Sequence, residues 1–310
     1  MSALISGSMA FDTIMVFQDQ FKNHILPEQV HILNVSFLVP EMRRNFGGCA
    51  GNIAYNLSLL GGVGLPMATV GADFAPYAAW MDDKGISRAG LQEVGHEFTA
   101  QAFITTDQDD NQITAFHPGA MNHAHLNKVS DHSDVSIGIV SPDGRQGMIE
   151  HAEQFAAAGI PFIFDPGQGM PMFDGDDLKR FIEQATYVTV NDYEAQLMSE
   201  RTGMSLEDIA AQVDALIVTL GGDGSHIYHG GQKEVIPCAK ASELKDPTGC
   251  GDAYRAGLIY GLQNGFEWAV TGRIASLIGT IKMEHAGTQN HRFTMDEFKA
   301  RYTQEFGSSF

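Results

Sequence analysis

Short, continuously apolar runs that alternate with amphipathic segments fill most of this sequence. Runs of this kind are typical of strands that are buried on both faces of a parallel sheet. The predicted strands lie at residues 4–6, 67–70, 135–140, 161–164, 187–190 and 215–220. Helical spacing occurs at residues 50–60, 74–82, 146–158, 177–184, 192–201, 251–262, 267–283 and 295–302. We therefore expect a three-layer α/β fold, with a mostly parallel central sheet and helices on both faces.

Two stretches depart from this alternation and predict a separate group of strands. Apolar side chains occupy every second position at residues 33–39, which is typical of a strand. The segments 101–106 and 112–117 flank a turn-rich stretch, and this pattern predicts a hairpin. We expect strands inserted at about 13–46 and 98–121 to form a small lid on a single domain that spans the whole 310-residue chain.

The composition limits the partners and the compartment. The formal net charge of −19 argues against a nucleic-acid polymer as a partner, because such a polymer requires a basic surface. The three cysteines, Cys49, Cys238 and Cys250, are odd in number and scattered, as expected of free thiols in a reducing cytoplasm. No apolar run approaches the roughly 20 residues of a membrane-spanning helix, and no signal peptide is visible. We expect a cytoplasmic protein with no membrane partner, acting as a monomer or a homodimer.

The helix predicted at residues 251–262 begins within an unusual sequence, DPTGCGD at 246–252. Small residues there let the backbone approach a ligand, and the first turn of the helix presents unpaired N–H groups that favour an anion such as phosphate. Asp252 places a carboxylate beside that anion, where it is suited to remove a proton from an attacking hydroxyl. The ordinary alternative is a capped helix, with Thr248 as N-cap and Asp252 in the first turn. Glycine in a first turn costs about 1 kcal/mol relative to alanine, which favours a functional reason for the motif.

Two features nearer the N-terminus suit a polar small molecule. Gly47 and Gly48 precede a helix on whose first turn Asn52 can direct its amide at hydroxyl groups. Asp12 follows the first strand and can accept hydrogen bonds from a sugar diol. A glycine-rich turn that enters a core helix, and a turn acid, are the plain alternatives.

Two further motifs follow predicted strands, where ligands bind in open α/β sheets. Asn191 and Glu194 are one helical turn apart and suit a hydrated Mg²⁺, although the same pair is typical of a capping box. Residues 219–224 suit either a nucleotide phosphate or a hairpin turn. The nearby histidines His117, His123 and His125 have no supporting cysteine or acid spacing, so we interpret them as loop histidines rather than zinc ligands.

Taken in order, these motifs resemble the ribokinase-like (PfkB) family of carbohydrate and nucleoside kinases, over nearly the whole chain. Residues 34–52, 250–257 and 287–289 most resemble the bacterial adenosine and nucleoside kinase branch. The resemblance implies a ribokinase-like fold. It also implies Mg²⁺-dependent transfer of the γ-phosphoryl group of ATP to the 5′-hydroxyl of a ribonucleoside, with adenosine as the first candidate substrate.

The resemblance also implies a role for each matching residue. Asp252 would be the base, and the N–H groups of Gly249, Cys250 and Gly251 would form the anion hole. Asp12, Gly47, Gly48 and Asn52 would hold the ribose, and Asn191 and Glu194 would organise Mg²⁺ and phosphates. Thr219, Gly221, Gly222, Gly224 and Gly287 would line the nucleotide, and Asp246 and Thr248 would hold a monovalent cation such as K⁺. A purine would lie against apolar lid residues such as Phe37, Phe116 and Met121, although these side chains equally suit the core of the lid.

Two alternatives remain open at this point. The first is a sugar kinase of the same family, acting on ribose, fructose or a related furanose. The second is a non-catalytic regulator that binds a nucleoside or sugar. Retention of Asp252, Asn191 and Glu194 together argues against the regulator, because a pure binder needs no base beside a phosphate site.

Overall fold

The computed structural model describes residues 2–25, 34–109 and 111–310. Within these ranges the strands are β1 (Ser2–Ser6), β2 (Ala10–Val16), β3 (Glu41–Gly47), β4 (Gly64–Gly71), β5 (Leu91–Val94), β6 (Ala100–Thr106), β7 (Gln112–His117), β8 (Val135–Val140), β9 (Phe162–Phe164), β10 (Tyr187–Asn191), β11 (Ala215–Thr219), β12 (Ser225–His229) and β13 (Gln232–Ile236). The α-helices are α1 (Cys49–Leu59), α2 (Ala75–Asp83), α3 (Arg145–Ala157), α4 (Gly175–Gln184), α5 (Asp192–Thr202), α6 (Leu206–Ala210), α7 (Cys250–Gln263), α8 (Trp268–Met283) and α9 (Met295–Phe306).

The main sheet has nine strands in the order β13-β12-β11-β10-β9-β8-β1-β4-β5. All neighbours are parallel except β11–β12 and β12–β13, which are antiparallel. Gly230 and Gly231 join β12 to β13 with φ values of 52° and 75°. Left-handed conformations at both positions are typical of the two-residue hairpin turn whose twist matches that of the flanking strands. The mostly parallel sheet predicted from the sequence is confirmed.

Successive residues of the central strands face opposite layers, as the two-residue period of a strand requires. In β1, Ile5 packs on one side with Ile53 of α1 and Leu258 of α7. Its neighbour Leu4 packs on the other side with Met148 of α3. Helices therefore cover both faces, and the predicted three-layer arrangement is confirmed.

A second sheet of four strands, in the order β3-β2-β6-β7, forms the small sheet that the sequence predicted as a lid. The predicted hairpin corresponds to β6 and β7, which pair antiparallel. The strand predicted at residues 33–39 is wrong for its described part, because residues 34–40 have no regular secondary structure and β3 begins at Glu41. Leu33 lies outside the described residues. Phe37 packs instead against Phe17 and Phe21, with ring centroids 4.9 and 5.0 Å away.

The helices of the described ranges include none that combines the length and the apolar character needed to cross a bilayer.

Candidate active site

Helix α7 begins at a sharp turn in the DPTGCGD segment. Gly249 is its N-cap residue, with φ +80°, and no side chain among the described residues caps the helix. The ordinary alternative, in which Thr248 is the N-cap, is therefore wrong: the Thr248 N–H donates to Asp246 Oδ1 at 2.9 Å, one step earlier in the turn. The reason is the left-handed backbone at residue 249, which favours glycine. This turn leaves the first N–H groups of α7 without a capping side chain.

These N–H groups are the donors predicted for an anion hole. The Cys250 N–H donates to the Pro247 carbonyl at 3.1 Å, so it is partly engaged within the turn. Among the described residues, the N–H groups of Gly249, Gly251 and Asp252 have no such backbone acceptor. Together with the positive end of the helix dipole, they make the start of α7 suited to an anion.

Asp252 lies in the first turn of α7, and its carboxylate is linked to α1. Asn52 donates from Nδ2 to Asp252 Oδ2 at 2.8 Å. Burial raises the pKa of Asp252 to about 6, and the hydrogen bond from Asn52 opposes that rise. A carboxylate with a pKa near 6 remains mostly ionised at neutral pH and is a stronger base than an ordinary aspartate.

The amide that holds Asp252 is itself held in place. Gln289 donates from Nε2 to Asn52 Oδ1 at 3.0 Å and lies 2.6 Å from the Tyr77 hydroxyl. Trp80 donates from Nε1 to Gln289 Oε1 at 2.9 Å. This chain of bonds fixes which end of the Asn52 amide faces Asp252, since its oxygen already accepts from Gln289.

Asp12 lies on β2 of the small sheet, next to the glycine pair. An added Cβ at Gly47 would come within 2.5 Å of Asp12 Oδ2, so the absence of a side chain there makes room for the carboxylate. Gly48 has φ +83° at the N-cap of α1. Burial, and then the charge of Asp246, raise the pKa of Asp12 to about 6. A partly buried carboxylate near a second acid is suited to accept hydrogen bonds from hydroxyl donors.

Phe116 shares a face of the small sheet with Asp12. The register pairs Asn45 with Asp12, Asp12 with Ala102, and Ala102 with Phe116 across the four strands. Side chains that are paired directly across a sheet point to the same face. Strands are about 4.8 Å apart, so Phe116 lies two strands, or about 10 Å, from Asp12. Phe116 is 52% exposed, so its side chain is accessible to a flat ligand group on that face.

Asn191 and Glu194 form the capping box that was the alternative interpretation of this pair. Glu194 N donates to Asn191 Oδ1 at 2.7 Å, and Asn191 N donates to Glu194 Oε2 at 2.8 Å. The pKa of Glu194 is raised by burial and by the charge of Asp165. The second oxygen of Glu194 is not used in the box, so capping and a metal role are compatible.

A buried ion pair lies close to both acids. Arg255 of α7 donates from Nη2 and Nε to the two oxygens of Asp165, at 2.8 and 3.0 Å, and both side chains are under 10% exposed. The charge of Asp165 raises the pKa of Glu194 and of Asp252, while the charge of Arg255 lowers both. The pair therefore acts electrostatically on both Asp252 and the Asn191–Glu194 turn.

Four of the residues predicted for the nucleotide, Thr219, Gly221, Gly222 and Gly224, line a cleft at the start of α7. The cleft has a volume of about 230 Å³. Its lining is mostly apolar or small and joins the β11–β12 connection to α7 and α8: Thr219, Gly221, Gly222, Gly224, Cys250, Gly251, Tyr254, Gly279 and Met283. Gly287 lies outside this lining, and its N–H donates to Asp246 Oδ2 at 2.8 Å.

The carbonyl proposed for a monovalent cation is already bound by an internal cation. Lys282, which is fully buried, donates from Nζ to the Asp246 carbonyl at 2.7 Å and to the His285 carbonyl at 3.0 Å. Its ammonium group also lies 3.9 Å from Asp246 Oδ2. The residues around Asp246 and Thr248 therefore do not fit a K⁺ ion, because a positive charge with hydrogen-bond donors occupies that position.

Four residues of this region were not assigned a role from the sequence: Asp165, Arg255, Lys282 and Gln289. Asp165 directly follows a strand that ends at the ligand-binding edge of the sheet, the same signal that identified Asn191. Arg255 was recognisable as the one basic residue of a helix that is mostly apolar after Asp252. Gln289 lies in the 287–289 segment that carries the resemblance, but no local pattern predicts its contact with Asn52. Lys282 acts through a contact hidden in the core, which the sequence does not predict.

The comparisons with known proteins agree with this geometry. Residues 10–294 match the model of the pfkB family of carbohydrate kinases. The chain belongs to this family. Its members transfer a phosphoryl group to a hydroxyl, and the ribokinase-like fold predicted from the motifs is confirmed.

Several relatives are nucleoside kinases. The chain is 32% identical over 271 residues to a nucleoside kinase of Methanocaldococcus jannaschii, covering 86% of this chain and 89% of the relative. A structure of Burkholderia thailandensis nucleoside kinase in complex with inosine superposes with a TM-score of 0.90 at 52% identity, over 99% of both chains. A complex of that kinase described as ADP-inosine gives a TM-score of 0.88 at 54% identity, over 99% of this chain and 97% of the other.

Proposed function

We propose that this protein is a nucleoside kinase that transfers the γ-phosphoryl group of ATP to the 5′-hydroxyl of a purine ribonucleoside. The observation that carries the proposal is the position of Asp252. It is bound by Asn52 on one side, while its neighbours Cys250 and Gly251 line the nucleotide cleft on the other. A base between an acceptor region and a phosphate donor is what phosphoryl transfer to an alcohol requires.

The chain's own residues account for each part of the reaction. Asp12 and Asn52 bind the ribose hydroxyls and orient the sugar, with Gly47 and Gly48 allowing close approach. Asp252 accepts the proton from the 5′-hydroxyl as the oxygen attacks. The N–H groups at the start of α7 stabilise the negative charge on the transferred phosphoryl group.

The residues present fit a hydrated Mg²⁺ near the Asn191–Glu194 turn. The raised pKa of Glu194 reflects burial and a neighbouring negative charge, and its free oxygen is the kind of ligand that Mg²⁺ prefers. When ATP is bound, Mg²⁺ near this turn would neutralise part of the negative charge of the phosphates. Asn191 and Glu194 would hold it through water molecules.

Two observations support a nucleoside over a free sugar. Phe116 lies on the same sheet face as Asp12, about two strands away, where a base attached to the ribose would reach. The Burkholderia thailandensis nucleoside kinase, at 52% identity, binds inosine. We propose adenosine and inosine as the first acceptors to compare. Location in the cytoplasm, the single domain and the monomeric or dimeric state stay predictions.

The direct test is ADP formation from ATP and Mg²⁺ with adenosine, inosine, guanosine, cytidine, ribose and fructose as acceptors. A purine nucleoside should give a kcat/KM at least tenfold above that of ribose or fructose. A sugar that outruns every nucleoside would replace the proposal with a sugar kinase of the same family. No acceptor-dependent ADP formation with any of them would favour the non-catalytic regulator.

A further inference from the structure

A second group of chemically active side chains lies at the base of the small sheet and includes none of the residues assigned to the kinase site. His96 and Glu97 belong to the loop before β6, and His123 lies on a 3₁₀ helix, Gly119–Leu126, that follows β7. One ligand atom from each side chain lies within 4.8 Å of the others. We propose that these three residues bind a transition-metal ion, with Zn²⁺ as the best match.

The spacing is close to that of a formed zinc site. Glu97 Oε1 and His123 Nε2 are 3.4 Å apart. In a tetrahedral site with bonds of about 2.0–2.1 Å, neighbouring ligand atoms stand about 3.4 Å apart. The ring centroids of His96 and His123 are 5.7 Å apart. Two imidazoles on one tetrahedral ion have centroids about 5 Å apart at these bond lengths, so a small rotation of the exposed His96 side chain completes the set.

The backbone that carries the ligands is held in place before any ion binds. Ala72 N donates to the Glu97 carbonyl at 3.0 Å, and Ala120 N donates to the Phe98 carbonyl at 2.9 Å. A Cβ at Gly119 would come within 2.1 Å of the Phe98 carbonyl oxygen, so glycine allows the loop and the 3₁₀ helix to approach closely. The ligands therefore project from two segments that are already fixed to each other.

The donor set selects the class of metal. Two imidazoles and one carboxylate suit Zn²⁺, Cu²⁺ or Ni²⁺, whereas Mg²⁺ prefers oxygen ligands alone. About a third of each of the Glu97 and His123 side chains is exposed, which leaves space for a water molecule in the remaining position. The interpretation of His123 as a loop histidine missed this site because its acidic partner lies 26 residues upstream.

The position of the site gives it a structural consequence. β6 begins at Ala100, directly after the loop, and β7 ends at His117, directly before the 3₁₀ helix. An ion held by His96, Glu97 and His123 would link the start of β6 to the end of β7. Binding should therefore raise the melting temperature of the protein, since the ligand set exists only in the folded state.

The test is calorimetric titration of ZnCl₂ into the metal-free, full-length protein without nucleotide. We expect one saturable site in the wild type, and His96→Ala, Glu97→Gln and His123→Ala should each weaken binding more than tenfold. His226→Gln is the matched control, because His226 lies on β12, near the opposite edge of the nine-stranded sheet. It should bind as the wild type does.

Two results would overturn the proposal. One is equal Zn²⁺ affinity in all four variants and the wild type. The other is a thiolate-to-cobalt charge-transfer band when Co²⁺ replaces Zn²⁺, since that band would place the ion on cysteine sulfur. The titration contains no nucleotide or nucleoside, so its outcome is independent of whether the protein is a nucleoside kinase.

Discussion

The side-chain amide of Asn52 donates a hydrogen bond to the carboxylate of Asp252 at 2.8 Å, joining the first turns of α1 and α7. The two residues are 200 positions apart in the sequence. One helix carries the glycine-rich turn beside Asp12, and the other carries the turn proposed to bind an anion, beside the cleft proposed for the nucleotide. The bond therefore sits where acceptor and donor of the phosphoryl group should meet.

Removing this bond should shift the pH dependence of the reaction. Asn52 lowers the pKa of Asp252 against the effect of burial, so Asn52→Ala should raise that pKa above its value of about 6. Because the base must be deprotonated, kcat at saturating nucleoside should fall at acidic pH. The acidic limb of the plot of kcat against pH should move to higher pH in the variant. Ser58→Ala is the control on α1, since the Ser58 hydroxyl donates to the Tyr55 carbonyl within the same helix. Coincident acidic limbs in Asn52→Ala and the wild type would argue that the bond does not tune Asp252.

Asp12 should act on substrate binding rather than on proton transfer. Asp12→Asn keeps the size of the side chain but weakens its capacity to accept hydrogen bonds from two hydroxyls. We expect KM for the nucleoside to rise by about tenfold or more, with a much smaller change in kcat, which steady-state kinetics at pH 8 would measure. A loss confined to kcat would contradict the assignment of Asp12 to the ribose.

The activity should not depend on K⁺. The Lys282 ammonium group already binds the carbonyls of Asp246 and His285. We expect less than a twofold change in kcat/KM when K⁺ is replaced by choline at constant ionic strength. Activation of tenfold or more by K⁺ would show that an ion binds near Asp246 despite Lys282.

The buried pair of Arg255 and Asp165 should contribute strongly to stability when only one partner is removed. Arg255→Met leaves an uncompensated carboxylate in the interior, which costs about 3–5 kcal/mol in the free energy of unfolding. The double variant Arg255→Met/Asp165→Leu should recover much of that loss. Arg88→Ala is the surface control, because Arg88 and Asp82 are both about half exposed and such pairs contribute less than about 1 kcal/mol. Urea unfolding that shows equal small losses in Arg255→Met and Arg88→Ala would contradict this prediction.

The sequence predicted the layers of the fold because each central strand is a continuous apolar run. It did not predict β5 or α6, which are short and partly exposed and so lack a clear period. The strand predicted near Phe37 is wrong because the Phe37 side chain packs against Phe17 and Phe21, and the segment does not pair in a sheet.

The site was predictable where a local motif carries it. Asp252 and the turn proposed to bind an anion stand together in seven residues, whereas the contact between Gln289 and Asn52 spans 237 positions and is predicted by no local pattern. The alternative with Thr248 as N-cap failed because the sequence does not reveal that the backbone at Gly249 has a positive φ. The metal-binding group of His96, Glu97 and His123 was missed for the same reason as Gln289, since its parts meet only in the folded chain.

The most direct test of the central claim compares Asp252→Asn with the wild type in forming a nucleoside 5′-monophosphate from inosine or adenosine. Product identity and rate follow from ³¹P NMR and ADP formation, with circular dichroism and the melting temperature as controls for folding. Loss of a general base lowers rates by about 10²–10⁴-fold. We predict that the wild type forms the 5′-phosphate and that kcat of a folded Asp252→Asn protein falls by at least 100-fold, in line with that range. Near-normal turnover by the folded variant would contradict the assignment of Asp252 as the base.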